Sequence, residues 1–306
     1  MPQDDTTSGV IFGGVFSRGG VEAGDRAWLR AMLDTEAALA RAVERAGLAP
    51  DGAGAAVTKA ADPENFDVAE LGGLAALTGN PVPGLSRALT RLVPRSAAGA
   101  VHRGATSQDI VDTAAMLMAR QALDVIGADV SAAAEATARL AGEHRSTVMI
   151  GRTLLQQAVP VTFGLVAAGW LAALDEAVAA LARVRAERLA VQFGGAAGTL
   201  ASLGEAGPRV AALLAEELDL PRPPLSWHTN RLRVLELAHG NQQCDILGGH
   251  RGRAKTQQQR RDSPCDPHLS PIVHARHAVA GWIVLDYASH RMPLEADAFC
   301  HRRHRG

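Results

Sequence analysis

The sequence predicts an all-α protein built as a bundle of long helices. Three observations carry that prediction. Aromatic residues are 4% of the 306-residue chain and apolar alternation at period two is almost absent, so strand signals are scarce. Apolar residues recur instead at helical spacing. Two of these stretches are alanine-rich and longer than the usual helix of a globular domain.

The elements follow in order. Trp28, Met32, Leu39 and Val43 share one helical face, with Leu29, Leu33 and Ala40 beside them, and Gly47 is a natural stop. A short helix is expected from about Asp67 to Leu77, before Gly79. The first long helix starts after Thr106-Ser107 and runs to about Arg145; no proline interrupts it, and Ile110, Ala114, Leu117, Ala122 and Leu123 keep its period. The second is expected to open at Pro160, a good first-turn residue, and to reach about Val191. A short turn around Gly151 would pack the two antiparallel. Long helices with so few charges are expected to bury most of their faces, often against other subunits. A third long helix begins near His228 with TNRLRVLELA and loses its period at His239-Gly240-Asn241.

Composition narrows the function. A net charge of −1 supplies no electrostatic attraction for nucleic acid or an anionic membrane. The opening residues, MPQDDTTSGV, lack the basic and apolar regions of a signal peptide. No run of about 18 apolar residues appears; Val159 to Leu174 comes closest, opened by Pro160 and closed by Asp175. The expectation is a cytoplasmic protein with neither nucleic-acid nor membrane partners.

An abrupt shift follows. Cys244, Cys265 and Cys300 are the only cysteines, and seven of the eleven histidines lie from His250 to His304. The stretch from Gly248 to Pro271 is polar, broken by glycine and proline, and carries no burial pattern. The division expected is therefore an N-terminal helical domain over 1–105, a central long-helix bundle over 106–238, incomplete at its end, and an irregular tail over 239–306. Cys244, His250, Cys265 and His268 do not match a zinc spacing, so no metal is expected. The tail resembles out-of-frame translation of GC-rich coding DNA.

Four segments carry candidate chemistry. VHRGATSQDIVDTA, from Val101, is a glycine-containing loop that ends in two hydroxyl residues at a helix start. Thr106 or Ser107 can cap that helix, and its free N–H groups and positive dipole end suit a carboxylate. On spacing alone an ordinary N-cap is the commoner explanation, since helix caps are common. GRTLLQQAVP, from Gly151, is a polar turn in which Thr153, Gln156 and Gln157 can donate hydrogen bonds. QFGGAAGTL, from Gln192, permits a tight backbone turn but lacks the Lys-Ser/Thr ending of a phosphate loop. WHTNRLR, from Trp227, sets His228, Arg231 and Arg233 near a helix start, either as an anion site or as a charged helix face.

Taken together, GATSQDIVDTA, GRTLLQQAVPVTFG, GGAAGTLASLG and WHTNRLRVLELA resemble bacterial 3-carboxy-cis,cis-muconate cycloisomerases of the fumarase/aspartase superfamily. FSRGGVEAGDRAWLRAMLDTEAALARAVERAGL and GNPVPGLSRAL do so too, and the resemblance covers roughly residues 10–238. GATSQD alone specifies only the superfamily, being shared with adenylosuccinate lyases. Those enzymes, like fumarases and argininosuccinate lyases, carry histidine where this chain has Leu154, which argues for the cycloisomerases; WHTNR and LLQQAVP point the same way.

The resemblance implies a cofactor-free lactonisation of a small polycarboxylate. It implies a substrate cleft lined by Asn80, Thr106, Ser107, Thr153, Gln156, His228 and Arg231, and assembled from three subunits of a homotetramer. The superfamily's mobile loop, close to Ser-Ser-x-Met-Pro-x-Lys-x-Asn-Pro, carries the serine assigned as catalytic base, and no matching stretch follows Ala238. The nearest lysine is Lys255, and Met292-Pro293 leads into Leu294-Glu295. The proton-transfer residue is therefore unassigned, the chain is expected to be inactive as it stands, and its assembly into the tetramer is in question. The alternatives are another lyase of the superfamily, such as adenylosuccinate lyase, or a non-catalytic fragment.

Overall fold

The computed structural model describes residues 21 and 23–238. The architecture is helical, as the spacing predicts. Helix α1 (Asp25–Arg45) lies against α2 (Ala53–Ala60), and α3 (Val68–Thr78) pairs with α4 (Val82–Leu92). Then come α5 (Ser107–Glu143), a hairpin of β1 (Val148–Thr153) and β2 (Gln156–Thr162), α6 (Phe163–Glu187) and α7 (Gly207–Leu218). Residues 232–238 are helical as well.

Helix α1 is central. Its buried face runs through Leu29, Met32, Leu33, Leu39 and Val43, and it packs on α2, α5 and α7. One apolar core extends from Leu29 to Leu237, through Leu85 and Leu89 of α4, Ile110 and Leu117 of α5, and Leu214 of α7. Local chemistry sets the short helices. The Asp67 carboxylate accepts the Ala69 and Glu70 N–H groups to start α3, and Gly79, at φ +70°, ends it.

Helices α5 and α6 run antiparallel. Gly164, at the start of α6, meets Ala141 and Arg145 near the end of α5, while Arg185 pairs with Asp124 further back. A Cβ on Gly164 would stand 2.7 Å from the Ala141 carbonyl oxygen, so only glycine permits this approach.

Two expectations need correction. Pro160 does not open a helix: it sits in β2 opposite Ile150, and α6 starts at Phe163 after the Thr162 cap. Nor does α6 reach Val191; it ends at Glu187, and residues 189–193 are buried and non-helical. The connection between the long helices is thus an antiparallel hairpin that the scarcity of strand signals does not predict. Its tip, Leu154-Leu155, takes positive φ at both residues, 48° and 64°. The hairpin and α6 leave much apolar surface open, including Val148, Leu154, Leu155, Val159, Leu165 and Trp170. By length and composition alone α6 could cross a bilayer, a weak signal for a helix that packs along α5. The expectations for the stretch from His239 onward lie outside the described residues.

Candidate active site

The GATSQD helix start is held from beneath by one carboxylate. Asp109, in the first turn of α5, is 1% exposed. Its Oδ2 accepts the Thr106 N–H at 3.0 Å and the Gly195 N–H at 2.8 Å. Its Oδ1 accepts Gln192 Nε2 at 2.9 Å and the Gly194 N–H at 3.1 Å. A buried carboxylate with four N–H donors is well compensated and geometrically fixed. It joins the loop before α5 to the loop after α6. Gly104, at φ +78°, lies against Leu203 so closely that a Cβ would come within 2.5 Å of its Cγ. The turn therefore requires glycine on both conformational and steric grounds.

Gln192 extends the network. Its Nε2 lies 3.2 Å from His228 Nδ1, and its Oε1 accepts the Trp227 N–H at 2.5 Å. Its own N–H donates to Thr113 Oγ1 at 2.9 Å, and that hydroxyl donates to the Gln192 carbonyl at 3.0 Å. The Trp227 indole N–H is anchored on the Val191 carbonyl at 3.0 Å.

Arg231 is held one helical turn further along α5. Its guanidinium spans both oxygens of Asp112, at 2.6 and 3.0 Å, and its Cζ stands 5.7 Å from the centroid of the Trp227 ring. Gln108 Nε2 donates to the same carboxylate at 2.9 Å.

A second buried carboxylate supports the loop from the other side. Glu36 of α1 is fully buried, and accepts the His102 N–H at 2.9 Å while facing His102 Nδ1 at 2.6 Å. Burial disfavours the imidazolium, but the hydrogen bond to Glu36 and the charges of Glu36 and Asp109 outweigh it, so the His102 pKa lies above the ordinary value.

The structure brings four of the expected site residues together: Thr106, Ser107, His228 and Arg231 all border the Asp109–Gln192 node. Thr106 is the N-cap and Ser107 the first residue of α5; both are half-buried. The other three lie elsewhere in the chain. Asn80 joins α3 to α4, where its side chain accepts the Val82 N–H at 2.9 Å. Thr153 and Gln156 face each other across the exposed hairpin tip. The side-chain hydrogen bonds that build the node reach none of the three.

Four residues at the node were not singled out in the sequence. Asp109 had a signal, an acidic residue three positions after a Thr cap, which is the spacing of a capping box. Glu36 had one too, a carboxylate on the apolar face between Met32 and Leu39. Asp112 and Gln192 had none. Among the described residues no group of three His, Cys, Asp or Glu side chains could hold a metal ion. The cysteine and histidine pattern of the tail lies outside them.

Known proteins resemble the chain in sequence and fold. A family model described as lyase matches residues 21–238. The chain is 48% identical over 232 residues to a 3-carboxy-cis,cis-muconate cycloisomerase of Bradyrhizobium diazoefficiens, covering 75% of this chain and 51% of that protein. It is 45% identical over 223 residues to a nitrosuccinate lyase of Streptomyces davaonensis, covering 69% and 47%. The crystal structure of a 3-carboxy-cis,cis-muconate lactonizing enzyme from Pseudomonas putida superposes with a TM-score of 0.81 at 36% identity, over 91% of this chain and 67% of that one. The chain spans about half the length of the curated relatives it matches. Matched along residues 21–238, it belongs to the lyase family that includes the 3-carboxy-cis,cis-muconate cycloisomerases.

Proposed function

We propose that this chain carries the substrate-holding framework of a cycloisomerase that converts 3-carboxy-cis,cis-muconate to 4-carboxymuconolactone, in the protocatechuate branch of aromatic degradation. The observation that carries the reading is the Asp109 node, which fixes the start of α5 to the 192–195 loop and to His228. Asp109 takes the Thr106 N–H from below, and no described residue accepts the Ser107 or Gln108 N–H. Those N–H groups, the Thr106 and Ser107 hydroxyls and the helix dipole suit one carboxylate of a polyanionic substrate.

The chemistry needs nothing beyond side chains. One carboxylate adds across a double bond and closes the lactone; the carbanion left alpha to another carboxylate delocalises into it and is then protonated on carbon. No cofactor enters. Thr106 and Ser107 hold a carboxylate, and His228 and Arg231 border the same cleft. Asn80, Thr153 and Gln156 would join it from other subunits of a homotetramer, a role that suits their separation from the node and the open apolar face of the hairpin and α6. Residues 1–105 and 106–238 would serve as the N-terminal and central parts of that assembly, in the cytoplasm. The chain would bind substrate without turning it over, because the sequence after Ala238 contains no stretch like the loop that carries the proton-transferring serine.

The test is purified protein mixed with 3-carboxy-cis,cis-muconate, with binding followed by calorimetry and turnover by loss of diene absorbance. Heat of binding with no lactone formation is expected. Absence of binding overturns the substrate, and lactone formation well above the uncatalysed rate overturns the inactivity and turns attention to Lys255 and its neighbours. A second reading, another lyase of the superfamily, is favoured by the 45% identity to a nitrosuccinate lyase. It predicts binding of a substituted succinate in preference to the muconate.

A further inference from the structure

We infer that Glu36, acting through His102, is a positioning residue that sets the turn delivering Thr106 and Ser107 to their carboxylate. The inference rests on the ligand reading given above. Glu36 projects from the apolar face of α1 into the core and is fully buried, where an uncompensated carboxylate is costly. Both its oxygens are directed at one residue 66 positions away: Oε2 accepts the His102 N–H and Oε1 meets the ring at Nδ1. His102 stands at φ +53°, a left-handed conformation uncommon for a residue other than glycine, and the Glu36 contacts hold it there. The next residues complete the bend. The Ala105 N–H donates to the His102 carbonyl at 3.3 Å, and Thr106 then caps α5. Moving His102 therefore moves the start of α5.

Charge explains why the pair is a carboxylate and an imidazole. One buried carboxylate contacts the His102 ring, Glu36 from α1, and the charge of a second, Asp109 of α5, also acts on it; both favour its protonated form. The imidazolium offsets Glu36 and adds to the N–H groups that stabilise Asp109. Deprotonation would leave Glu36 buried with a neutral partner. The raised folded-state pKa means that this contribution is complete below about 6.5, the ordinary imidazole value, and is lost as pH rises through the higher folded value. The turn should therefore loosen in alkali, and a positioning role requires that the loss fall on the 102–109 turn rather than spread evenly over the core.

Glu36→Gln preserves shape. The amide can accept the His102 N–H and donate to Nδ1 of a neutral ring, so the variant should fold while losing the charge coupling. His102→Asn is the second variant, since asparagine tolerates positive φ and cannot carry the proton. Hydrogen exchange of the full chain, corrected for intrinsic rates and read on peptides covering 102–109 and 207–218, needs no ligand. Wild-type protection of 102–109 should fall about tenfold between about pH 6 and about pH 9, with 207–218 unchanged. In both variants the 102–109 segment should be about tenfold less protected at the lower pH and lose its pH dependence. Equal protection in wild type and variants, or a loss shared equally by 207–218, overturns the inference. Calorimetry with 3-carboxy-cis,cis-muconate separates the two claims. Wild-type protein that shows the exchange pattern but binds no muconate supports the positioning role and overturns only the ligand assigned to the turn.

Discussion

Arg231 closes on both oxygens of Asp112, at 2.6 and 3.0 Å, across 119 residues of chain. Asp112 is 2% exposed and Arg231 26%. The arginine that reads in sequence as a candidate anion binder is thus already paired, and a substrate carboxylate would share it with Asp112 rather than meet a free cation. The pair fastens the segment after Trp227 to α5, so its first duty is to hold His228 beside Gln192.

That relationship is testable by breaking one side. Arg231→Met leaves the Asp112 carboxylate buried without its bidentate partner and should cost about 3–5 kcal/mol of stability. Arg231→Lys keeps the charge and loses the fork, and should cost about half as much. Urea unfolding monitored by helical circular dichroism checks both; equal stability of the Arg231→Met variant and wild type would show that the pair contributes nothing.

Asp109 should be as intolerant of change. Asp109→Asn replaces one accepting oxygen with an NH2 group that faces N–H donors from Gly195 and Thr106 or from Gln192 and Gly194. Losing these charge-assisted bonds and leaving donors unpaired should cost about 3–5 kcal/mol. The measurement is the midpoint of chemical unfolding, read against Asp67→Asn as an exposed capping control.

Acid should loosen the junction of α1 with α7. Glu217 accepts Arg41 Nε at 2.6 Å and Arg45 Nη1 at 2.8 Å. Burial opposes its ionisation, but the hydrogen bonds and charges of Arg41 and Arg45 outweigh it and lower its pKa below 4.5. A lowered folded-state value means that the stabilisation is present above the unfolded value and is lost as pH falls through the folded one. Glu217→Gln should therefore be less stable than wild type near neutrality and should converge with it in acid. Parallel stability curves across that range would contradict this.

The hairpin tip stores strain. Leu154 and Leu155 occupy a two-residue turn with positive φ at both positions, the geometry that favours Asn-Gly. Replacing them with Asn and Gly should stabilise the isolated chain by about 1–2 kcal/mol. A drop in thermal midpoint on that double substitution would show that the leucines pack within the chain. Their exposure, 90% and 99%, predicts that they do not.

The residues explain what was legible in advance. Long helices announce themselves through repeated local signals, and α5 accordingly begins at Ser107 as expected and ends at Glu143, close to Arg145. The hairpin escaped because its strands, VMIGRT and QQAVPVT, are exposed on most positions and show no inward-outward alternation to detect. Pro160 is read as a helix opener by local preference, yet it is tolerated in a two-stranded edge. Among the candidate site residues, Thr106, Ser107, His228 and Arg231 stand out in the sequence because they sit in blocks with a local logic. Asp112 and Gln192 matter through partners 119 and 35 residues distant, and no local pattern encodes such pairing.

The most direct test of the whole account is a calorimetric titration of 3-carboxy-cis,cis-muconate into the wild-type chain and into Ser107→Ala. Ser107, the first residue of α5, makes no hydrogen bond through its side chain among the described residues, so its removal should leave the unfolding free energy within about 0.5 kcal/mol of wild type. The account predicts a measurable wild-type affinity that weakens at least about tenfold in the variant, the loss of roughly 1.4 kcal/mol expected for a hydrogen bond to a charged group. Identical affinities for the two proteins would contradict it.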